Sequence, residues 1–288
     1  MREKGQSGRG LSRRPVRTTH PFGLREIIQG QEPVSDELGL IHITSTGYGR
    51  EIINSGKLEI KNCSVFHNKL VYFFFGRPVY RLTGGDEKTD IIGRFPIAFV
   101  FSAKDLGSPF HVYPFDTGAA HRGLFDSQSS PGDFLDDFEL EPTIEGARKH
   151  IGWAFENNSA YFEGDIRSGL INKIEEWHTV ARGYIRIAGL AATGNNTPDK
   201  RAAAIEIAYE RNVPLKANLQ LVILPKQFVE NVAAGSKNER LLASLKESGA
   251  NWEMYDWRPH ETPNFYLDTI SHIVRQYFIR NGNFDTNR

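Results

Sequence analysis

An aromatic run, Val71, Tyr72, Phe73, Phe74 and Phe75, stops abruptly on Gly76, Arg77 and Pro78 before Val79 and Tyr80. A continuous apolar run of this length, ended by Gly and Pro, reads as a buried strand. An arginine therefore stands at the mouth of a hydrophobic wall. A guanidinium keeps its charge and is costly to bury unpaired, so its position points to a carboxylate, a phosphate or a ligand close by. A local structural ion pair meets the same need.

The chain has 288 residues, enough for one large domain with extensions. Lys and Arg total 35 and Asp and Glu total 35, so net charge neither favours nor excludes nucleic acid. The distribution is less even. Arg2, Lys4, Arg9, Arg13, Arg14 and Arg17 stand against Glu3 at the beginning of the chain, which reads as a flexible basic arm. Such an arm either tracks a phosphate backbone by counterion release or serves as a solubilising tail. No apolar segment follows it, which argues against a targeting peptide, and no stretch reads as a transmembrane helix. Cys63 is the single cysteine, so an intrachain disulfide and a cysteine-based zinc site are excluded and a reducing cytoplasm is expected. Cys63 and His67 alone do not make a metal site.

Taken in order, residues 38–44 read as a short strand. His42 and Thr44 point to one side of it and Ile41 and Ile43 to the other. Residues 47–58 read as a helix with Gly56 as its stop. Strands are expected at 70–75 and 96–101, with a turn at 84–88 between them. The stretch 108–142 is rich in Gly, Pro, Ser and Asp yet carries His111, Tyr113, Phe115 and Asp116, and reads as an ordered loop over a site. The acids Asp133, Asp136, Asp137, Glu139 and Glu141 read as a solvated face. Leu170, Ile174, Trp177 and Ala181 fall at helical spacing, with Trp177 in the core. Residues 184–190 read as a strand and 193–198 as a turn. Glu206 then interrupts an apolar strand at 201–208, and a carboxylate there needs a reason. A further strand is expected at 219–224. Helical segments with an aromatic patch at 252–257 follow, closed by a helix whose stripe is Ile270, Ile273, Val274, Tyr277 and Phe278.

His42, Arg77 and Glu206 are thus polar residues carried by three otherwise apolar strands. With the helix that directly follows the first strand, ending Asn54-Ser55-Gly56-Lys57-Leu58, the aromatic strand running into Arg77-Pro78, and Val213-Pro214-Leu215 and Leu221 to Pro225 behind Glu206, they resemble the ADP-ribosyltransferase fold. Within it the chain resembles the bacterial toxins that modify nucleic acid, of the DarT and CmdT types. The motifs span residues 38–226, although matched positions are few.

The resemblance implies an α+β fold: an ADP-ribosyltransferase-like split β-sheet core with flanking helices, a long inserted loop and a C-terminal helical extension. The expected organisation is a basic arm over 1–35, a catalytic domain over 36–230 and the extension over 231–288, packed on that domain. NAD+ would be the co-substrate and no metal would be needed. His42, Ile43 and Thr44 would hold the adenosine side, Tyr72 would pack on the nicotinamide, Glu206 would sit by the nicotinamide ribose, and Arg77 would position and stabilise charge. The acceptor would be a DNA or RNA base, the setting a toxin–antitoxin or anti-phage system in the cytoplasm, and the protein partner an antitoxin or chaperone. No membrane partner is expected. The chemistry is consistent: cleaving the nicotinamide bond builds positive charge that a fixed carboxylate stabilises, and the pyrophosphate suits a planar guanidinium. The DarT pattern of proline and serine-proline around the arginine is only partly present.

Other readings stand beside this one. The same transfer to a protein side chain uses the same residues, and a non-catalytic nucleotide-binding module the same fold. Pro198-Asp199 before Glu206-Ile207-Ala208 echoes a metal-dependent nuclease, with alanine where that chemistry needs lysine. His42 as a satisfied core histidine, with Glu206 paired to Lys200 or Arg201, is the structural alternative.

Overall fold

The computed structural model describes residues 10–14, 22–35, 38–104, 106–192, 198–230 and 232–284. Among them the strands run, in chain order, β1 (Leu40–Ser45), β2 (Lys57–Leu58), β3 (Lys61–Asn62), β4 (Lys69–Phe75), β5 (Pro96–Phe101), β6 (His111–Tyr113), β7 (Glu206–Tyr209), β8 (Val213–Pro214), β9 (Leu219–Pro225) and β10 (Asn251–Tyr255). The α-helices are α1 (Leu24–Ile28), α2 (Thr46–Ser55), α3 (Thr117–His121), α4 (Ile144–Ala154), α5 (Asn158–Glu163), α6 (Thr179–Gly189), α7 (Lys237–Ser248) and α8 (Tyr266–Arg280). The α+β class expected from the sequence is observed. No helix among the described residues is long and apolar enough to cross a membrane.

The chain divides into two units. One comprises Met1–Ser35, Cys63–His67 and Pro109–Ile207; the other comprises Asp36–Asn62, Asn68–Ser108 and Ala208–Arg288.

Within the second unit the strand order is β10-β9-β5-β1-β4. β1 pairs antiparallel with β4 and β5, and β5 antiparallel with β9. β5, paired on both edges and packed against α2 and α8, is buried at all six positions, and a strand covered on both faces tolerates an unbroken apolar run. β10 pairs parallel with β9, and the crossover that a parallel pair needs is supplied by α7. The aromatic patch expected at 252–257 between helical segments contributes to β10, its strand form set by pairing with β9, and α8 covers apolar surface with Ile270, Val274 and Phe278. The aromatic run forms β4 as expected. It ends on Gly76, whose φ is +68° and whose N–H donates to the Gly39 carbonyl at 2.8 Å.

The first unit is mainly helical, with Phe115, Phe125, Phe138, Ile151, Tyr161 and Tyr184 fully buried. The stretch 108–142 is ordered and contains β6, α3 and a 3-10 turn, Leu135–Phe138. Part of the basic segment is docked here. Leu11 is buried, its N–H donates to the Ala120 carbonyl at 3.1 Å, and the Ser12 carbonyl accepts from Leu135 N–H at 2.9 Å. Arg13 pairs with Asp136 at 3.1 Å and Arg14 with Asp137 at 2.8 Å. These two acids are therefore buried ion-pair partners rather than a solvated face, and these two arginines are committed within the unit. Arg2, Lys4, Arg9 and Arg17 lie outside the described residues, as does most of the expected turn at 193–198.

Two further expectations fail. Residues 184–189 belong to α6, because Val180, Ala181, Tyr184, Ile187 and Ala188 recur at helical spacing and are buried together. Trp177 is 83% exposed, since the helical phase that would carry it inward is broken by a 3-10 turn at Leu170–Lys173.

The end of β4 generates a stability prediction. A Cβ on Gly76 would stand 2.4 Å from a Leu38 methyl in a left-handed backbone conformation. Gly76→Ala is expected to lower stability by about 1–2 kcal/mol, read as a lower urea midpoint at unchanged slope. A midpoint equal to wild type contradicts the close approach.

Candidate active site

Glu206 opens β7, inside a segment, 202–209, that is buried throughout. A carboxylate in such surroundings is costly unless it is hydrogen-bonded. The partner is Thr117, the first residue of α3. Its hydroxyl donates to one carboxylate oxygen, Oε1, at 2.5 Å and its N–H to the other, Oε2, at 3.3 Å. Neither Lys200 nor Arg201 takes the role foreseen for an ion-pair partner: Arg201 bonds Asp199 at 2.8 and 2.9 Å.

The start of α3 is fixed by its own chemistry. Asp116 is the N-cap, accepting from Ala119 N–H at 2.8 Å, and its N–H donates to the Arg201 carbonyl at 3.2 Å. That bond ties the helix to the chain just ahead of Glu206. His111, on β6, brings Nε2 to 3.5 Å from Glu206 Oε1. Its ring lies against Phe66 at 4.3 Å between centroids and Tyr113 at 5.0 Å, and Arg13 lies over Phe66 at 5.0 Å.

Burial pushes the Glu206 proton affinity well above the ordinary glutamate range, the Asp116 carboxylate pushes it further, and the two Thr117 bonds pull it back. Glu206 is thus a buried acid whose carboxylate is held at both oxygens by Thr117. Strongly perturbed buried acids of this kind mark functional sites more often than chance. Sequence reasoning singled out Glu206 and the stretch holding His111, Asp116 and Thr117, but not these three as its partners. The available signal was polar residues spaced through an otherwise aromatic stretch.

The other expected residues belong to the second unit. His42 and Thr44 are half-buried on β1 while Ile41 and Ile43 are buried, the alternation expected of a strand with one polar face. The structure brings His42 and Tyr72 together: the His42 Nδ1–H donates to the Tyr72 carbonyl at 2.9 Å, leaving Nε2 as an acceptor. Burial lowers the His42 pKa, with the Tyr72 bond opposing, so the ring is neutral near pH 7. Arg77, directly after Gly76, is 1% exposed, among the largest fully buried side chains. Among the described residues no cluster of three or more His, Cys, Asp or Glu is arranged to hold a metal ion.

No protein-family model and no curated protein matches the chain. Solved structures do. The resemblance is to DarT. Thermus sp. 2.9 DarT in complex with NAD+ is 13% identical over 76% of this chain and 97% of its own, with a TM-score of 0.38. The same protein in complex with ADP-ribosylated ssDNA is 15% identical over 80% of this chain and 95% of its own, with a TM-score of 0.35.

The Glu206 environment sets a pH dependence. A glutamate that holds its proton more tightly folded than unfolded favours the folded state at low pH; stability is then lost as pH rises from the ordinary value of 4.5 through the higher folded pKa. In urea denaturation across pH, the offset between Glu206→Gln and wild type is expected to be constant below about pH 4 and to move in favour of the variant above it. An offset independent of pH contradicts the raised proton affinity.

Proposed function

We propose that this chain is an NAD+-dependent ADP-ribosyltransferase that moves ADP-ribose from NAD+ to a nucleic-acid base, with single-stranded DNA as the preferred acceptor. The observation that carries the reading is Glu206: a buried acid in an apolar strand, gripped at both oxygens by one residue and flanked by a histidine and a second carboxylate. Breaking the bond between nicotinamide and ribose leaves the electron pair on nicotinamide and positive charge on the ribose. A carboxylate already oriented and desolvated stabilises that charge at no cost in reorganisation. A base heteroatom then bonds the ribose carbon and loses its proton to solvent.

The positive nicotinamide ring itself favours the ionised form of Glu206, so substrate binding prepares the acid. We assign Arg77 to the pyrophosphate and to charge stabilisation, as its fixed charge and planar donors suit. Proton abstraction is excluded for it at neutral pH. His42 and Thr44, on the polar side of β1, are assigned to the adenosine side with Ile43 beside them, and Tyr72 to packing on the nicotinamide. DNA is also the acceptor named for Thermus sp. 2.9 DarT. A toxin role in the cytoplasm, held in check by an antitoxin or chaperone, and RNA as acceptor extend the same proposal.

Incubation with NAD+ and single-stranded DNA or RNA oligonucleotides, followed by mass spectrometry, tests it. An ADP-ribose mass gain on DNA is expected, reduced roughly a hundredfold or more in Glu206→Ala and in Arg77→Ala variants shown to be folded by circular dichroism. Absence of mass gain on either nucleic acid, or Glu206→Ala equal to wild type, overturns the assignment. Label from NAD+ that survives nuclease but not protease moves the acceptor to protein.

A further inference from the structure

Charge stabilisation by Glu206 requires that its carboxylate keep facing one way. A glutamate side chain has three rotatable bonds, and an acid that wanders among rotamers loses the preorganisation on which charge stabilisation depends. The surroundings of Glu206 contain one residue that touches both of its oxygens. Thr117 offers a hydroxyl to Oε1 and an N–H to Oε2, is 1% exposed, and stands at the first position of a helix whose N-cap, Asp116, is itself bonded to the segment leading into β7.

We propose that Thr117 is the positioning residue for the catalytic acid, its hydroxyl and amide together holding the Glu206 carboxylate in the single orientation that faces the reacting ribose. The proposal rests on Glu206 being that acid. The groups around Glu206 are Asp116 ahead of α3, His111 on β6, Cys63 in the 63–67 segment, and Thr117 itself. They act in different directions. The Asp116 charge opposes ionisation of Glu206, whereas the Thr117 hydrogen bonds favour it. A residue that only filled space would do neither. Removing the hydroxyl with shape retained therefore affects the acid in a way that no packing role reproduces.

The test uses the full chain with glutamate labelled at the side-chain carboxyl carbon with 13C, the Glu206 signal being identified by its loss in Glu206→Gln. In an NMR titration Thr117→Val is expected to move the Glu206 midpoint upward, Thr117→Ser to leave it with wild type, and Asp116→Asn, which retains an N-cap, to move it downward. In NAD+ turnover with single-stranded DNA, Thr117→Val is expected to lower kcat about tenfold to a hundredfold, the equivalent of one hydrogen bond to a charged group, with KM for NAD+ within about twofold. Thr117→Ser is expected to restore kcat to within about threefold. A Glu206 midpoint unmoved in Thr117→Val, or Thr117→Ser as impaired as Thr117→Val, overturns the proposal. The two levels separate: a midpoint that shifts as described in a protein that never cleaves NAD+ supports the clamp and removes the proposed activity. Cleavage at the wild-type rate in a Thr117→Val protein with an unmoved midpoint removes the clamp alone. Should Thr117→Val fail to fold, Thr117→Ala takes its place: an upward Glu206 midpoint and a lowered kcat are expected, and a midpoint equal to wild type overturns the proposal.

Discussion

A carboxylate buried among apolar side chains is tolerable only where its oxygens are met, and at Glu206 both are met from one residue, Thr117. Much of the first unit is arranged around that requirement. Asp116 caps and starts α3 so that Thr117 presents hydroxyl and amide in the same direction. The Arg201 carbonyl ties this helix start to the approach to β7. Leu11 bonds the far end of the same helix at Ala120, and the ion pairs of Arg13 and Arg14 with Asp136 and Asp137 hold the docked segment in place. Phe66 and Tyr113 lie against His111, whose Nε2 approaches the same carboxylate oxygen that the Thr117 hydroxyl bonds. Each contact alone is ordinary; together they leave the carboxylate little freedom.

In the second unit the controlling constraint is instead apolar. β5 is flanked by β1 and β9 in a fixed register and is buried along its whole length. That register places His42 opposite Phe99 and Thr44 opposite Ile97, and the alternation of β1 puts both polar side chains on one face. The aromatic β4 continues the sheet beside β1 and delivers Arg77 through the left-handed turn at Gly76.

The strands were legible because their signals are local: apolar runs at 70–75, 96–101 and 221–224, each closed by Gly, Pro or a polar residue, leave few alternatives. Glu206 was legible for the same reason, as the one acid inside such a run. Its partners were not, because Thr117 and His111 are separated from it by 89 and 95 positions and nothing in an aromatic, proline-containing stretch says which polar group turns inward. The ion pairs of Arg13 and Arg14 escaped detection likewise, since a basic segment and an acidic segment each read as solvated until their pairing is seen. Tyr184 to Leu190 misled because β-branched and aromatic residues suit a strand, whereas tertiary packing selected the helical period. Trp177 misled in the opposite sense, its spacing matching a helix that stops short of it.

The central claim is that the negative charge of Glu206, rather than its bulk or hydrogen bonding, drives departure of nicotinamide. Single-turnover nicotinamide release by Glu206→Gln, with NAD+ affinity measured separately by calorimetry, tests it most directly. The amide keeps the shape and an acceptor for the Thr117 N–H but carries no charge. The expected result is NAD+ affinity close to wild type with nicotinamide release slowed by about two orders of magnitude or more. Release at the wild-type rate from the Gln variant would contradict the account.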